Sequence, residues 1–242
     1  MTKWLDGTVV ENRHWTPALF TLRVEGAPLH FEAGQFVRIA LDIDGTRVAR
    51  PFSMVNAPQE PLLEFYGIVV PQGPLSPRLA QMKPGDRLYV ASNPAGFLVL
   101  SELPSARTLW LMSTGTGIAP FISLLRAGTP WQRFENVVLV HAVRHAGELA
   151  YRDEIERITN LQYVRIVSRE DAPGALRGRI PQLIRDGRLE REAGLRLAPE
   201  TSQVMLCGNP DMLKDTAAVL AERGMRKNRR RAPGHITVES FW

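Results

Sequence analysis

The sequence predicts two domains of different class, an antiparallel β-barrel followed by an α/β domain built on a parallel sheet. In residues 1–100, short strand patterns alternate with turn signals, and only one short helix is indicated. From residue 101 onward, compact apolar runs alternate with stretches of helical periodicity, which is typical of a parallel sheet wrapped by helices. The charge divides in the same way, with nine basic and nine acidic residues before residue 101 and 21 and 16 after it.

The barrel elements follow in chain order. "GTVVENRHWTPALFTLRVEG" reads as two strands, and "GQFVRIALDIDGTRVARPFSMVN" reads as a hairpin with its turn at Asp44-Gly45. "LLEFYGIVV" and "DRLYVAS" add two strands, and "SPRLAQMKPGD" predicts a short helix between them that ends before Pro-Gly. Six strands and one helix indicate a small antiparallel barrel.

The α/β elements begin with the apolar run "TLWLMST" and the Gly loop and helix of "GTGIAPFISLLRAG". Strand and helix then alternate through "NVVLVHAVR", "ELAYRDEIERITN", "LQYVRIVSRE", "GRIPQLIRDGRL", "QVMLCG" and "PDMLKDTAAVLAERGM". The change of pattern falls near residues 100–108, so we expect domains at 1–101 and 102–242.

Composition favours a folded cytoplasmic protein. Cys207 is the only cysteine, so no internal disulfide can form, as expected in a reducing compartment. The N-terminal stretch "MTKWLDGTVVEN" lacks the apolar core of a signal peptide, and no apolar run is long enough to span a bilayer. The net charge of +5, which resides in the second domain, favours an anionic ligand or partner.

A glycine loop follows the first strand of the α/β domain, in "STGTGIAPF" at residues 113–121. Gly115 and Gly117 allow the backbone to approach a ligand, and the helix that follows offers free N–H groups to a phosphate. A tight strand-to-helix connection explains the same pattern, and Ala119 and Pro120 replace the end of the usual G-x-G-x-x-G.

Three arginines lie at or just past the ends of predicted strands. Arg144 and Arg169 each follow a buried strand, and Arg179 follows in "GRIPQLI". Any one of them is explained as a solvated surface residue, but the set at one sheet edge predicts a phosphate site, because guanidinium groups match phosphate geometry.

Covalent and metal chemistry are not predicted. Cys207 has no positioned base in the sequence and reads as a small buried residue, and His141 lies inside a buried strand. No His, Cys or Asp cluster has metal-ligand spacing, so we expect no metal.

Four motifs occur in a fixed order: "RPFS", "GTGIAPF", "CGNP" and the terminal "VESFW". Together with "LEFY", "LSPRL", "KPGD" and "GRIP", they make nearly the whole chain similar to the bacterial ferredoxin/flavodoxin–NADP reductases, in the subclass that ends on an aromatic residue. The resemblance implies an oxidoreductase that exchanges a hydride between NADPH and FAD. It also implies transfer of single electrons to ferredoxin or flavodoxin.

For FAD, the resemblance implies that Arg50 pairs with the pyrophosphate, that Phe52 lies on the flavin ring and that Ser53 hydrogen-bonds near the nitrogen that accepts hydride. Tyr66 and Ile68 would offer backbone groups to the pyrimidine end of the ring. The full set implied is Arg50, Pro51, Phe52, Ser53, Tyr66, Gly67, Ile68, Val69, Gly73, Leu75, Ser76, Thr116, Phe241 and Trp242.

For NADP, the resemblance implies that Arg169 and Arg179 hold the 2′-phosphate, although Glu170 beside Arg169 is the kind of residue that an NAD site uses. The full set implied is Gly115, Thr116, Gly117, Arg144, Ser168, Arg169, Arg179, Cys207 and Gly208.

The catalytic residues implied are Ser53, Cys207, Glu239 and Phe241. Glu239 either moves protons to the flavin or is a structural hydrogen-bond acceptor. Phe241 would cover the flavin face, and Trp242 would stack on the adenine of FAD. The chain departs from the family at two positions, where Phe52 replaces the usual Tyr and Pro74 replaces a frequent Lys.

Two alternatives stay open. A flavin reductase, or the reductase component of an oxygenase, has similar chemistry, although the cysteine ligands of an iron–sulfur module are absent from the sequence. "ERGMRKNRRRAPG", with six basic residues between Arg223 and Arg231, is of the kind that binds nucleic acid, but it has no interleaved aromatic residue. We instead expect this run to dock an acidic ferredoxin or flavodoxin, and we expect a monomer with no nucleic-acid or membrane partner.

Overall fold

A computed structural model describes residues 2–240, and these residues form two compact units. The first unit comprises the described residues up to Val99 together with Ala119–Ala127. The second comprises Leu100–Ile118 and the described residues from Gly128 onward. No helix among the described residues is long and apolar enough to cross a membrane.

The first unit is a six-stranded antiparallel sheet in the spatial order β4-β3-β6-β1-β2-β5. Its two outer strands are joined by a bridge between Met54 and Phe65 and by a hydrogen bond of 2.8 Å from Val55 N–H to the Glu64 carbonyl, so the sheet curls into a barrel. The predicted antiparallel barrel is confirmed. Its elements are β1 (Trp4–His14), β2 (Leu19–Glu25), β3 (Phe36–Ile43), β4 (Thr46–Ser53), β5 (Leu63–Ile68), α1 (Ser76–Gln81) and β6 (Arg87–Ala91).

Local signals explain the barrel's turn and its helix. Asp44 and Gly45 both have positive φ, of 49° and 76°, as the tight turn between β3 and β4 requires. α1 ends against the side chain of Asn12, whose amide donates to the carbonyls of Leu79, Ala80 and Met82 at 2.8–3.3 Å. The Asn12 amide thereby supplies a donor to carbonyls at the end of the helix, where intrahelical donors run out.

The second unit is a six-stranded parallel sheet in the order β10-β9-β8-β7-β11-β12, which confirms the predicted α/β class. Its central strands, β7, β8 and β11, are buried along nearly their whole length, as their continuous apolar runs indicate. The strands are β7 (Thr108–Thr114), β8 (Asn136–Val143), β9 (Leu161–Val167), β10 (Leu176–Arg177), β11 (Ser202–Gly208) and β12 (Ile236–Ser240). The helices after the first strand are α2 (Ala119–Ala127), α3 (Arg152–Ile155), α4 (Ile180–Arg185), α5 (Arg188–Ala193) and α6 (Pro210–Glu222).

Two predicted helices differ from the structure. The helix expected in "GRIPQLIRDGRL" is two helices, α4 and α5, separated by Gly187 with φ of +73°. The helix expected in "ELAYRDEIERITN" is reduced to the four residues of α3, because Tyr151 before it is left-handed with φ of 61°.

Helix α2 follows the glycine loop in the chain but belongs to the first unit. Ser123 Oγ donates to the Asn56 carbonyl at 2.7 Å, and Arg126 forms an ion pair of 3.0 Å with the buried carboxylate of Glu64. These buried polar bonds fix α2 against the segment between β4 and β5.

Candidate functional site

The end of strand β4 holds a buried hydroxyl with no hydrogen-bond partner among the described residues. Ser53 is only 3% exposed, and its Oγ is unsatisfied. A buried polar atom of this kind costs free energy unless a ligand or water pairs with it. The predicted role of Ser53, a hydrogen bond to a flavin ring atom, fits this observation.

Phe52 lies beside Ser53 and is half-buried, so part of its ring remains accessible. The ring meets Phe65 edge to face at 6.4 Å. It also lies over Gly67, where an added Cβ would be 3.0 Å from Phe52 Cε1 and 2.8 Å from Phe20 Cζ. Gly67 is therefore required for the ring position, and a flat ligand can stack on the ring of Phe52.

Arg50 is exposed on the same strand, and its guanidinium donates to its neighbour's carbonyl, that of Ala49, at 2.7 Å. Arg50 has no acidic partner among the described residues, so its charge is available to an anion. Pro51 separates it from Phe52 and lies opposite Arg38 on β3.

Strand β5 is an edge of the sheet, so one side of its backbone lacks a neighbouring strand. On that side, Phe65 forms a bridge with Met54, and the Glu64 carbonyl accepts from Val55 N–H. Gly67 and Ile68 lie beyond them and pair in register with Phe20 and Leu19 of β2. The edge of a sheet can offer backbone N–H and C=O groups to a planar polar ring, and the roles that the resemblance implies for Tyr66 and Ile68 stay predictions.

A tight turn leads from β5 to α1. Gly73 N–H donates to the Val70 carbonyl at 2.8 Å, and Val70 N–H donates to Ser76 Oγ at 2.8 Å. Leu75 is buried directly before the helix, and Pro74 accepts a side-chain hydrogen bond from Arg78 at 2.7 Å. Val69 N–H donates to the Ala18 carbonyl, so its backbone donor is occupied.

The second candidate site lies at the carboxyl edge of the parallel sheet, between β7 and β11. The chain proceeds from β7 to β8 and β9 on one side and continues to β11 and β12 on the other. Ligands of open α/β sheets bind at such a switch of strand order. Here it brings the Gly115–Ile118 turn, which follows β7, next to Cys207 and Gly208 at the end of β11.

Two glycines allow this close packing. A Cβ on Gly117 would collide with the backbone carbonyl of Cys207, and one on Gly208 would collide with Thr114 Oγ1. Thr114 Oγ1 also accepts from Asn209 N–H at 2.9 Å. The sequence pattern "STGTG" included Thr114, but its role in holding the two strand ends together depends on the pairing of β7 with β11.

Polar side chains form one register row across the sheet near this edge. Cys207 lies opposite Ser113 on one side and Glu239 on the other, and Ser113 lies opposite His141. Burial raises the pKa of Cys207 well above its usual value, and the nearby charge of Glu239 raises it further. Cys207 therefore remains a neutral thiol.

His141 is fully buried, and its Nδ1 lies 3.1 Å from the hydroxyl of Tyr163. Burial lowers the pKa of His141 to about 3, so the ring is neutral. Within residues 2–240, no group of three or more His, Cys, Asp or Glu could hold a metal ion.

Arg144 and Arg169 meet at the ends of β8 and β9. Arg169 N–H donates to the Arg144 carbonyl at 3.0 Å, and Ser168 Oγ donates to the Val143 carbonyl at 3.2 Å. Both guanidinium groups are exposed, and neither has an ion pair among the described residues. Two unpaired arginines at one sheet edge suit a phosphate.

Arg179 occupies the equivalent position on the next strand. Arg177 of β10 lies opposite Val167 of β9, so Arg179 and Arg169 each stand two residues past a paired position. Arg179 is exposed before α4 and has no ion pair in the described part of the chain.

The carboxylate of Glu170 is occupied by the loop after β8. It accepts from Ala146 N–H at 2.7 Å and lies 3.2 Å from His145 Nδ1. These two hydrogen bonds lower the pKa of Glu170. Glu170 is therefore bound as a loop acceptor rather than presented to a ribose, which favours a 2′-phosphate at this edge. The remaining predicted residues, Phe241 and Trp242, lie outside the described residues.

Comparison with known proteins matches both parts of the chain to described domain families. The family description "Oxidoreductase FAD-binding domain" matches residues 10–98, and "Oxidoreductase NAD-binding domain" matches residues 111–218. The flavodoxin/ferredoxin–NADP reductase of Escherichia coli (strain K12) is 50% identical over the whole length of both chains. This chain belongs to the flavodoxin/ferredoxin–NADP reductase family.

Other members of the reductase family are also similar to this chain over nearly its whole length. The ferredoxin–NADP reductase of Pseudomonas aeruginosa is 39% identical, with 96% of this chain and 95% of that protein covered. The crystal structure of a ferredoxin NADP+ reductase from Neisseria gonorrhoeae with bound FAD and NADP has a TM-score of 0.96 at 32% identity, over all of both chains. The predictions of the family, of an oxidoreductase and of FAD and NADP as cofactors are confirmed.

Proposed function

We propose that the first unit holds FAD and the second holds NADPH, that a hydride passes from NADPH to FAD, and that the electrons leave singly to ferredoxin or flavodoxin. The observation that carries the proposal is the carboxyl edge of the parallel sheet. There Gly117 and Gly208 let the ends of β7 and β11 pack closely, and the guanidinium groups of Arg144, Arg169 and Arg179 have no ion pair among the described residues. A pyridine nucleotide with a 2′-phosphate matches both features.

FAD supplies the two-electron to one-electron conversion. The two electrons of each hydride go to two carrier molecules, and its proton goes to solvent. The protein's part is to bind and orient. Phe52 provides a stacking surface, Ser53 Oγ a hydrogen bond, Arg50 a charge for the pyrophosphate and the edge of β5 a row of backbone groups.

Cys207 and Glu239 would serve the nicotinamide end. The neutral thiol of Cys207 offers an apolar wall, because its raised pKa keeps it protonated. Glu239, adjacent in register, would accept or return a proton near the site. The roles of Phe241 and Trp242 at the flavin and adenine stay predictions from the sequence.

The test is an absorbance spectrum of the purified protein during titration with NADPH under anaerobic conditions. We expect bound flavin bands that bleach with about one equivalent of NADPH and return when ferredoxin or flavodoxin is added. A colourless protein that needs added free flavin would instead identify a flavin reductase.

We further propose a cytoplasmic monomer. The single cysteine, which is buried, fits a reducing compartment. Size-exclusion chromatography with light scattering would test the oligomeric state, and a mass twice that of the 27.1 kDa chain would contradict it.

A further inference from the structure

Two carboxylates follow closely in sequence on the arginines at the carboxyl edge of the parallel sheet. Glu148 Oε2 accepts from Arg144 N–H at 2.9 Å and from His145 N–H at 3.3 Å. Glu170 directly follows Arg169. Neither carboxylate forms an ion pair with an arginine among the described residues. The guanidinium groups at this edge therefore keep their charge, because the nearby acids are bound elsewhere.

The backbone places Glu170 beside the loop that follows β8. Beyond the ends of β8 and β9, Arg169 N–H still donates to the Arg144 carbonyl at 3.0 Å. The residues that come next, His145 on one segment and Glu170 on the other, are therefore neighbours. Their side chains are 48% and 45% exposed, so water competes for the carboxylate and the contact between the two side chains is of modest strength.

Each oxygen of the Glu170 carboxylate has its own donor. Oε1 accepts from Ala146 N–H at 2.7 Å, and Oε2 lies 3.2 Å from His145 Nδ1. An ionised carboxylate can only accept, so Nδ1 carries the proton in this contact. The bond from the Ala146 backbone and then the bond from His145 lower the pKa of Glu170, so this carboxylate is charged at neutral pH. Its position therefore decides where a negative charge lies at this edge.

A released Glu170 would act on the nucleotide in two ways. Its charge would repel a 2′-phosphate bound by Arg169 and would offset part of the guanidinium charge. Its oxygens would also be free to accept from the ribose hydroxyls of NADH, as the acids of NAD-binding sites do. Both effects favour NADH over NADPH.

We propose that His145 is a positioning residue for the choice of nucleotide. Together with the N–H of Ala146, it holds the Glu170 carboxylate away from the ribose, so that the site takes NADPH rather than NADH. The inference rests on the proposed function, since it places the 2′-phosphate at this edge. His145 acts through Glu170 and not by touching the nucleotide. If His145 only ordered the loop, the effect of its removal would not depend on the charge at position 170.

Two variants remove the two donors one at a time. His145→Ala removes the ring N–H, and Ala146→Pro removes the backbone N–H. Proline suits this position, because Ala146 begins a short helical turn and His145 before it is extended, with φ of −126° and ψ of 147°. His145→Asn is the conservative variant, since its amide keeps a donor near the place of Nδ1. His30→Ala removes an exposed histidine of the first unit and is the control.

Binding of adenosine 2′,5′-bisphosphate and of 5′-AMP to the full chain with FAD bound reports the 2′-phosphate without hydride transfer. Isothermal titration calorimetry measures both affinities, and we expect the wild type to bind the bisphosphate more tightly. The ratio of the two affinities should fall about threefold in His145→Ala, where a half-exposed contact is lost. It should fall about tenfold in Ala146→Pro, where a short charge-assisted bond is lost. His145→Asn and His30→Ala should keep the ratio of the wild type.

Steady-state kinetics give the second measurement. The ratio of kcat/KM with NADPH to kcat/KM with NADH should fall by similar factors, with the change in KM rather than in kcat, because Glu170 affects binding of the adenosine end and not the hydride. A fall in kcat with both nucleotides to the same extent would instead indicate a general disturbance of the loop.

Glu170→Gln decides whether His145 acts through the carboxylate. Without the charge, adding His145→Ala or Ala146→Pro should leave the affinity ratio at the value of Glu170→Gln alone. The inference is wrong if His145→Ala keeps the ratio of the wild type, or if it lowers the ratio equally with Glu170 and in the Glu170→Gln background. A different result concerns the proposed function: if the wild type binds 5′-AMP as tightly as the bisphosphate, the 2′-phosphate does not bind at this edge.

Discussion

Arg169 and Arg179 stand at equivalent positions after two neighbouring strands, each two residues beyond the paired residues Val167 and Arg177. Gly178 N–H donates to the Val167 carbonyl at 3.4 Å, so the two segments are joined at this point. Both guanidinium groups lack protein partners in the described structure, whereas Arg177 is paired with Asp171 at 2.9 Å. The sheet therefore holds two free cations at one edge.

Replacement of Arg169 or Arg179 by Ala should weaken the binding of NADPH far more than the binding of NADH. Each charge-assisted contact to a phosphate contributes about 1.5–3 kcal/mol, which is roughly tenfold or more in affinity. Steady-state kinetics with both nucleotides measure the effect. Arg177→Ala is the control, since its guanidinium is held by Asp171. Equal losses of affinity for NADPH and for NADH would contradict the assignment of these arginines to the 2′-phosphate.

Ser53→Ala should weaken the binding of FAD without lowering the unfolding free energy of the FAD-free protein. The Oγ of Ser53 has no partner in the described structure, so its removal costs the protein alone no hydrogen bond. One hydrogen bond to the cofactor contributes about 0.5–1.5 kcal/mol, hence up to roughly tenfold in FAD affinity. Fluorescence titration with FAD and urea unfolding of the FAD-free protein give the two quantities.

Ser123→Ala is the matched control for Ser53→Ala. Ser123 is equally buried, but its Oγ donates to the Asn56 carbonyl at 2.7 Å. Its removal leaves that carbonyl without this donor and should destabilise the FAD-free protein by about 1–3 kcal/mol. The opposite pattern, with Ser53→Ala destabilising and FAD affinity unchanged, would show that Ser53 is only a core residue.

The barrel could be predicted closely because its signals are local. The alternation of apolar and polar residues indicates the strands. The Asp44-Gly45 pair, whose two φ angles are positive in the structure, indicates the turn between β3 and β4. The places of the glycine loop at Gly115–Gly117 and of the arginines after the strands are also predictable, because apolar runs show where buried strands end.

Features that depend on tertiary contacts could not be predicted. Arg169 and Arg177 both follow apolar segments, but only the fold places Asp171 beside one of them. The glycine loop does not reveal that α2 packs with the barrel through Ser123 and Arg126. The sequence does not reveal the break at Gly187, because the apolar pattern continues through it into α5.

Gly208→Ala should be strongly destabilising and should impair NADPH binding. Gly208 has φ of +135°, and an added Cβ would collide with Thr114 Oγ1 and lie 2.8 Å from the Thr114 carbonyl oxygen. The strand ends of β7 and β11 would have to separate. We expect a loss of about 1–3 kcal/mol in unfolding free energy from overpacking, beyond the backbone cost.

Gly194→Ala measures that backbone cost by itself. Gly194 also has positive φ, of +64°, but nothing lies within 4 Å of an added Cβ. The unfolding free energy of this variant should fall by about 1–2 kcal/mol, and its affinity for NADPH should be unchanged. If urea unfolding gives equal losses for the two variants, the close packing at Gly208 does not constrain the site.

The buried His141 should make the protein less stable as the pH falls below about 6.5. Burial lowers the pKa of His141 from 6.5 to about 3, so between these values the unfolded chain binds a proton that the folded chain does not. The stabilisation is complete above pH 6.5 and declines by about 1.4 kcal/mol per pH unit below it. Between pH 6.5 and 5, urea unfolding in excess FAD should show a loss of about 2 kcal/mol.

The pH range between 6.5 and 5 distinguishes the effect of His141 from that of the carboxylates. Glu156 and Glu170 also have lowered pKa values, but from ordinary values of 4.5, so their contribution is lost at lower pH than that of His141. His141→Asn keeps a polar atom near the Tyr163 hydroxyl and removes the titration, so stability should become nearly flat between pH 6.5 and 5. His30→Asn, at an exposed histidine, is the control and should keep the slope of the wild type. If His141→Asn keeps that slope as well, His141 is not the group that titrates.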